Sequence, residues 1–195
     1  MPGGRPRKFD VEDALDRALA VFWEHGFEGA SLSDLTDAMR INRPSLYAAF
    51  GNKDELFRRV LDRYVEGPGG YASRALELPR ARDVLEALIY GAVDLTAGPD
   101  SPRGCLNVRC AQACGPDGEV ARREAQARRK LAQAQLTRRL RRAATEGDLP
   151  ADVDPADLAR YVHTICDGIA VQAAGGTSRA ALRRIAARAM GGLPA

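Results

Sequence analysis

The stretch GFEGASLSDLTDAMRINRPSLYAAFGNKDEL, residues 26–56, decides the fold of this chain. It contains two short segments with helical apolar spacing, a tight turn between them, and the start of a third helix. Ser31 and Asp34 have the spacing of a capping box for the first segment, and Asn42 stands two residues before Pro44 at the start of the second. Two short capped helices joined by a turn are typical of a helix-turn-helix DNA reader.

The second short helix, predicted over residues 43–50, has one face for packing and another for binding. Leu46 and Phe50 are four residues apart, so both point into the unit. The opposite face carries Arg43, Pro44, Ser45, Tyr47 and Ala48. A helix of this length is not stable alone, and a compact polar tip of this kind fits the major groove of DNA.

Longer helices are predicted on both sides of this pair. The helix before it covers residues 11–25, where apolar residues recur at steps of three and four and Gly26 is placed to end the run. In the helix after it, Asn52 and Glu55 form a cap pair. Lys53 therefore lies at a helix N-terminus, where backbone N–H groups attract phosphate.

The chain resembles the N-terminal domain of the tetracycline-repressor (TetR/AcrR) family of transcriptional regulators over residues 8–64. The matching residues are Gly26, Ala30, Ser31, Leu32, Asp34, Leu35, Ala38, Ile41, Ser45, Leu46, Tyr47, Phe50, Lys53, Glu55 and Leu56. The resemblance implies that Tyr47 and Lys53 contact DNA phosphates. It also implies that Arg43, Pro44 and Ser45 lie at the base edges.

Arg40 departs from the family pattern, which usually has glycine in this turn. A non-glycine residue at positive φ costs about 1 kcal/mol, and Arg40 is also placed to reach a phosphate. Arg7 and Lys8 belong to a basic N-terminal arm of the kind that reaches phosphates or the minor groove. Together with Ser31 and Ser33, these residues complete the predicted DNA-binding set.

Composition and charge place the chain among ordinary globular proteins. Hydrophobic residues make up 45% and charged residues 28%, and the net charge is +3. Residues 1–64 nevertheless hold eleven acidic side chains against ten basic ones, so the placement of the basic residues matters more than their total. The N-terminus lacks an apolar stretch and no window has the length of a membrane span, so we expect a cytoplasmic protein without membrane contact.

The sequence Gly67-Pro68-Gly69-Gly70 is the clearest break in composition. We expect residues 1–66 to form a three-helix DNA-binding domain, and residues 67–195 to form a larger domain for ligand binding and dimerisation. Helical periodicity continues to the end, which predicts an all-α fold of about nine helices. One long helix over residues 119–146 carries arginine pairs on all sides, which indicates a solvated helix rather than a second nucleic-acid surface.

The last two helices are predicted to form the dimer interface. One apolar stripe consists of Leu158, Val162, Ile165 and Ile169, and the other of Leu182, Ile185 and Ala189. Two such helices from each subunit can form a four-helix bundle, and a dimer lets a helix-turn-helix protein bind two half-sites. The same stripes can also pack within one chain, which is the alternative.

The resemblance further implies a pocket for a small-molecule inducer within the C-terminal domain. The candidate lining residues are Leu88, Ile89, Tyr90, Asn107, Cys110, Gln112, Tyr161, His163, Thr164 and Asp167. Each of them has a structural role in the core or on the surface as an equally good explanation. The chemistry of the inducer cannot be predicted from these residues.

Four cysteines are present, at positions 105, 110, 114 and 166, and their spacing is unusual for a zinc site. Buried thiols are the default interpretation. A redox or electrophile sensor is an alternative, because Arg103 and Arg109 could favour a thiolate. A small enzyme that pairs Cys110 or Cys114 with His163 is a weaker alternative, and no metal or cofactor motif accompanies it.

The function expected from the sequence is therefore a ligand-responsive transcriptional regulator without enzymatic activity. We expect a homodimeric repressor that binds a palindromic operator in double-stranded DNA. A small-molecule inducer would release it.

Overall fold

The structure is a computed structural model that describes residues 9–99, 102–112, 115 and 118–194. The described residues form ten α-helices and one short 3-10 turn, Pro68–Gly70. The helices are α1 (Val11–Gly29), α2 (Leu32–Met39), α3 (Arg43–Phe50), α4 (Lys53–Glu66), α5 (Tyr71–Ala75), α6 (Ala81–Ala97), α7 (Leu106–Ala111), α8 (Glu119–Thr145), α9 (Pro155–Ala174) and α10 (Arg179–Gly191). The predicted all-α fold is confirmed.

Helix α1 begins where the sequence predicts and bends where the sequence predicts its end. The Asp10 side chain accepts hydrogen bonds from the backbone N–H groups of Glu12 and Asp13, which caps the first turn. Gly26 has φ 72° and ψ −179°, a conformation that glycine adopts without strain. The chain resumes a helical turn after this kink and ends at Gly29, so α1 extends beyond the predicted residue 25.

The caps of the two short helices follow the sequence pattern. Ser31 and Asp34 form a reciprocal capping box at the start of α2. The Asn42 side chain accepts a hydrogen bond from the Ser45 N–H at 2.9 Å, which caps α3. These bonds satisfy donors that a short helix would otherwise leave exposed.

Two hydrophobic cores hold the chain together. The first buries the inner faces of α1 to α4 and includes Leu106 and Cys110 of α7 and Ala121 and Ala125 of α8. The second is formed by α6, the second half of α8, α9 and α10. Helix α7 and the first half of α8 therefore pack directly on the helix-turn-helix unit, and they join it to the C-terminal helices.

The prediction that α8 is simply a solvated helix is wrong at Arg139. This side chain is 5% exposed, and its guanidinium donates to the carbonyls of Leu76, Leu78 and Pro79 at 2.8–3.2 Å. The carbonyls belong to the segment after α5, which has no helical partner for them. Adjacent Arg138 is exposed, so the two members of one arginine pair have different roles.

The ten described helices agree with the prediction of about nine, and the additional helix is α5. The short α5 was missed because five residues are too few to show helical periodicity. Helix α7 is also short, and Cys105 precedes it as the N-cap residue. Cys114 lies outside the described residues.

The predicted dimer stripes belong largely to the core of one chain. Leu158, Val162, Ile169, Leu182 and Ala189 are all buried in the second core. Ile165 is partly buried against that core, and Ile185 is exposed. A side chain buried in its own subunit has little surface left for a partner, so the structure favours the alternative for these five residues, which is packing within one chain. In the described part of the chain, no helix is both long and apolar enough to cross a membrane.

Candidate DNA interface and internal cavity

The exposed face of α3 carries the side chains predicted to contact DNA. Arg43, Pro44 and Tyr47 are exposed and Ser45 is partly exposed, whereas Leu46 and Phe50 are buried. Tyr47 keeps 49% of its surface, which is high for a large aromatic side chain. An aromatic ring with a hydroxyl group beside a guanidinium forms a donor-rich surface without a packing role.

The N-terminal ends of α2 and α3 lie next to each other. Arg43 Nη2 donates a hydrogen bond to Ser33 Oγ at 3.0 Å. The Ser31 side chain accepts the Asp34 N–H at 3.1 Å as part of the capping box. Ser31 and Ser33 are thus brought to the same surface as Arg43, and both are exposed.

The turn between α2 and α3 contains a residue in a left-handed conformation. Arg40 has φ 55° and ψ 41°, the only positive φ of a non-glycine residue in the described chain. The following N–H of Ile41 donates to the Thr36 carbonyl at 3.1 Å, which closes the end of α2. This is the position where the family resemblance led us to expect glycine, and the arginine side chain is exposed there.

The start of α4 contributes a cation beside this surface. Lys53 is the first residue of α4, and its ammonium lies 4.4 Å from the centre of the Phe27 ring. Arg59, six residues further along α4, donates to the Ala49 carbonyl at 3.0 Å and stacks over Phe50. Arg59 thereby fixes the end of α3 against α4. The sequence did not single out this residue, because an arginine on an exposed helix face has no periodic pattern. Arg7 and Lys8 lie outside the described residues.

A cavity of about 250 Å³ lies among α4 to α9. Its wall is largely apolar and is formed mainly by Tyr64, Tyr71, Leu76, Leu88, Ala92, Leu95, Thr96, Cys105, Asn107, Val108, Leu131, Leu136, Val162, His163, Cys166, Asp167 and Ala170. Val65 and Leu131 line the cavity and are also exposed at the surface. They form an apolar rim between α4 and α8.

Four of the predicted pocket residues, Leu88, Asn107, His163 and Asp167, line this cavity. The others do not line it, for reasons of packing and helix face. Ile89 is fully buried in the second core, and Cys110 is buried in the first. Tyr161 and Thr164 lie on the exposed face of α9, and Tyr90 contacts Arg183 instead. Gln112 is outside the wall as well.

The wall of the cavity contains an ion pair, a histidine and an asparagine. Arg129 Nη1 donates to Asp167 Oδ1 at 2.7 Å, and the second nitrogen of the same guanidinium donates to Oδ2. Burial lowers the pKa of His163 from its ordinary value of 6.5, so the imidazole is neutral at pH 7. The Asn107 Oδ1 atom is buried, and no described group donates a hydrogen bond to it.

Helix α4 runs from the candidate DNA interface, at Lys53, to the cavity, at Tyr64. Tyr64, near its C-terminal end, lines the cavity, and its hydroxyl donates to the Cys105 sulfur at 3.2 Å. The Tyr64 ring meets Trp23 of α1 edge-on at 4.9 Å. Arg58 pairs with Glu124 and Arg128 pairs with Asp62, so ion pairs tie α4 to α8 along its length. The apolar periodicity of α4 does not show that Tyr64 lies on a cavity wall, because a core residue has the same spacing.

The cysteines occupy different surroundings. Burial raises the pKa of the Cys110 thiol to about 11 and that of the Cys166 thiol to about 12, so neither forms a thiolate readily at pH 7. Arg103 and Arg109, which were expected to favour a thiolate, donate to backbone carbonyls of Thr177 and Glu24. Cys110 lies in the first core, whereas His163 lies on the cavity wall, so these two described residues are not brought together. Cys114, the other cysteine of the enzyme alternative, lies outside the described residues.

Comparison with known families matches both parts of the chain. Residues 14–60 match the family described as "Bacterial regulatory proteins, tetR family". Residues 81–190 match the family described as "Tetracyclin repressor-like, C-terminal domain". Between them these matches include the helix-turn-helix unit and most of the helices that enclose the cavity.

Individual relatives agree with these matches. The chain is 32% identical over 185 residues to the HTH-type transcriptional repressor ComR of Escherichia coli, covering 94% of this chain and 88% of ComR. It is 52% identical to the E. coli repressor BdcR over 62 residues, 32% of each protein. Among solved structures, a cysteine mutant of the TetR family regulator CifR in complex with 26-base-pair operator DNA superposes with a TM-score of 0.92. That protein is 41% identical, and the match covers 97% of this chain and all of that one.

Proposed function

Because the chain belongs to the TetR family and is a DNA-binding transcriptional regulator, we propose that it is a homodimeric repressor released from its operator by a small molecule. The observation that carries the proposal is the exposed face of α3, with Arg43 and Tyr47 unburied beside the N-terminus of α4. A cytoplasmic location follows from this function. Residues 1–66 would read DNA, and residues 67–195 would bind the ligand and the partner subunit.

The proposed DNA contacts divide into two kinds. Arg43, Pro44 and Ser45 would lie at base edges in the major groove and supply sequence preference. Tyr47 and Lys53 would contact phosphates, where the α4 N-terminus adds its own attraction for anions. In the free protein, Ser33 holds Arg43 by a hydrogen bond, which positions the guanidinium before DNA arrives.

Operator binding is tested by a gel shift with DNA fragments from the protein's own genomic neighbourhood. Tyr47→Ala and Lys53→Ala should each lower affinity about tenfold or more, because a dimer loses two phosphate contacts. Lys130→Ala, an exposed lysine on α8, is the matched control and should leave affinity unchanged. Circular dichroism checks that each variant is folded. Binding by no neighbouring fragment, or equal loss in the control, would count against the proposal.

The dimer is proposed through the outer faces of α9 and α10. Tyr161, Val171 and Ile185 are large apolar residues with 44%, 48% and 43% of their surface exposed. Exposed apolar groups on neighbouring helices are typical of subunit interfaces. Ile185→Asp should shift the protein toward a 21.0 kDa species in light scattering, whereas Ala134→Asp on α8 should not. A wild-type monomer at micromolar concentration would exclude this interface.

The proposed release mechanism uses α4. A ligand in the cavity contacts Tyr64 at one end of this helix, while Lys53 lies at the other end. A ligand that fits one position of α4 better than another changes the spacing of the two DNA-reading units, and its differential affinity is the coupling free energy.

A second candidate function, control by thiol chemistry, is favoured by one observation. Cys105 lines the cavity and accepts a hydrogen bond from the Tyr64 hydroxyl, so a group attached to its sulfur would disturb α4 directly. N-ethylmaleimide should then abolish DNA binding in the wild type and spare Cys105→Ser. Unchanged DNA affinity after complete modification of Cys105 would remove this candidate.

A further inference from the structure

The Tyr71 hydroxyl belongs to the cavity wall, and it neither donates nor accepts a hydrogen bond among the described residues. Its ring packs closely against Gly91, since a Cβ atom added at Gly91 would lie 2.2 Å from the ring atom Cδ2. Burial raises the pKa of the phenol well above its ordinary value of 10.0. The group therefore keeps its proton and is available as a hydrogen-bond donor.

Three other hydroxyl or thiol donors of the wall are already used within the protein. The Thr96 hydroxyl donates to the Ala92 carbonyl at 2.6 Å, and the Tyr64 hydroxyl donates to Cys105. The Cys166 thiol points to the Leu88 carbonyl at 3.7 Å. A ligand would break an existing contact to bind any of these three, whereas it would gain a bond at Tyr71.

The charges on the wall are also neutralised from within. Arg129 and Asp167 form a two-bond ion pair, and Arg128 is paired with both Asp62 and Glu124. His163 is neutral at pH 7 because burial lowers its pKa. A charged ligand would lose its hydration in this cavity without meeting an unpaired opposite charge, which is costly.

The size of the cavity sets the size of the ligand. A dry apolar cavity of about 150 Å³ holds benzene, so a cavity of about 250 Å³ holds a somewhat larger molecule. The apolar rim at Val65 and Leu131 suits a molecule that is itself mainly apolar.

We propose that the cavity binds a small, neutral, largely apolar molecule that carries a carbonyl oxygen and accepts a hydrogen bond from the Tyr71 hydroxyl. This inference rests on the proposed function in taking the cavity as the effector site. It extends that function by naming the chemical class of the effector and the residue that recognises its polar atom.

Matched probes test the class directly. Acetophenone carries the carbonyl, α-methylstyrene replaces the oxygen by CH₂, and benzoate and benzamidine are charged molecules of similar shape. The set is repeated with methyl and ethyl groups at the para position, and 2-heptanone to 2-nonanone provide flexible ketones. Binding is measured without DNA by calorimetry and by the fluorescence of Trp23, which contacts the cavity residue Tyr64.

Ketones should bind about fivefold to tenfold more tightly than the matched alkene, the value of one neutral hydrogen bond. The charged probes should show no binding at millimolar concentration. Tyr71→Phe should remove the ketone advantage and leave alkene binding and protein stability unchanged, because no described residue depends on this hydroxyl. Gly91→Ala should weaken binding of ketone and alkene alike, since the added methyl drives the Tyr71 ring into the cavity.

Several results would overturn the proposal. These are absence of ketone binding up to millimolar concentration, tighter binding of a charged probe, an undiminished ketone advantage in Tyr71→Phe, and unchanged binding in Gly91→Ala that folds normally. A different result would overturn the proposed release mechanism without overturning the ligand class. If ketones bind through Tyr71 but never change operator affinity in a gel shift, the ligand class stands and the release mechanism is wrong.

Discussion

The Tyr64 hydroxyl donates a hydrogen bond to the Cys105 sulfur at 3.2 Å, and this bond joins the end of α4 to the segment that begins α7. The same ring lies edge-on to Trp23, whose indole N–H donates to the Gly104 carbonyl at 2.8 Å. Three parts of the chain that are distant in sequence therefore meet beside the cavity wall. Helix α4, which begins at Lys53, is anchored at this point.

We expect Tyr64→Phe to lower the free energy of unfolding by about 1 kcal/mol, because it removes one buried hydrogen bond and keeps the ring. Urea unfolding followed by Trp23 fluorescence measures the change. Tyr47→Phe, at an exposed tyrosine of α3, is the control and should have no effect on stability. An equal loss in both variants would show that the Cys105 contact contributes nothing.

Arg40→Gly should stabilise the protein by about 1 kcal/mol, since glycine adopts the left-handed conformation of this turn without steric cost. The position has φ 55°. Asp37→Gly, at an exposed site inside α2, provides the opposite control and should destabilise by roughly 0.3 kcal/mol, the difference in helix propensity between aspartate and glycine. Thermal or urea unfolding distinguishes them. A loss of stability in Arg40→Gly would contradict the conformation of the turn.

Arg139→Met should lower the free energy of unfolding by about 3 kcal/mol, because the carbonyls of Leu76, Leu78 and Pro79 would lose a charged donor and remain partly buried. Arg138→Met, one residue earlier and exposed, should change stability by less than about 0.5 kcal/mol. The comparison uses urea unfolding. Similar effects of the two substitutions would mean that the buried guanidinium has no structural role.

His163 should make stability depend on pH in one direction. Its pKa in the folded chain is below the ordinary value of 6.5, mainly through burial, with Asp167 and Arg129 acting in opposite directions. The unfolded chain therefore binds more protons below pH 6.5, and stability is lost as the pH falls through that value. The difference in unfolding free energy between wild type and His163→Gln should shrink from pH 7.5 to pH 5.5. A constant difference would contradict a neutral buried imidazole.

The helix-turn-helix unit could be predicted from sequence because its determinants are local. Caps such as Ser31 and Asn42 act over three residues, and the inward spacing of Leu46 and Phe50 is visible in the chain itself. Even the unusual turn was anticipated, since Arg40 stands where the pattern calls for positive φ. These features depend on backbone geometry that neighbouring residues fix.

The C-terminal site could be predicted only in part, because it depends on which helix faces meet. Val162 and Ile169 form an apolar stripe that suits a partner subunit or the chain's own core, and the structure buries both in the core. Tyr71 and Cys105 lie outside the longer periodic helices, so no spacing pattern placed them on the cavity wall. Arg139 has the same sequence pattern as the exposed arginines of α8, and only its hydrogen bonds to the carbonyls after α5 distinguish it.

The central claim is that this chain reads a specific DNA sequence through α3. Its most direct test is selection of fragmented genomic DNA by the purified protein, followed by sequencing of the bound fragments. We predict enrichment of a few sites that contain an inverted repeat, and loss of that enrichment in a variant carrying Arg43→Ala and Tyr47→Ala. Uniform recovery of the genome by the wild type, or the same enriched sites with the double variant, would contradict the account.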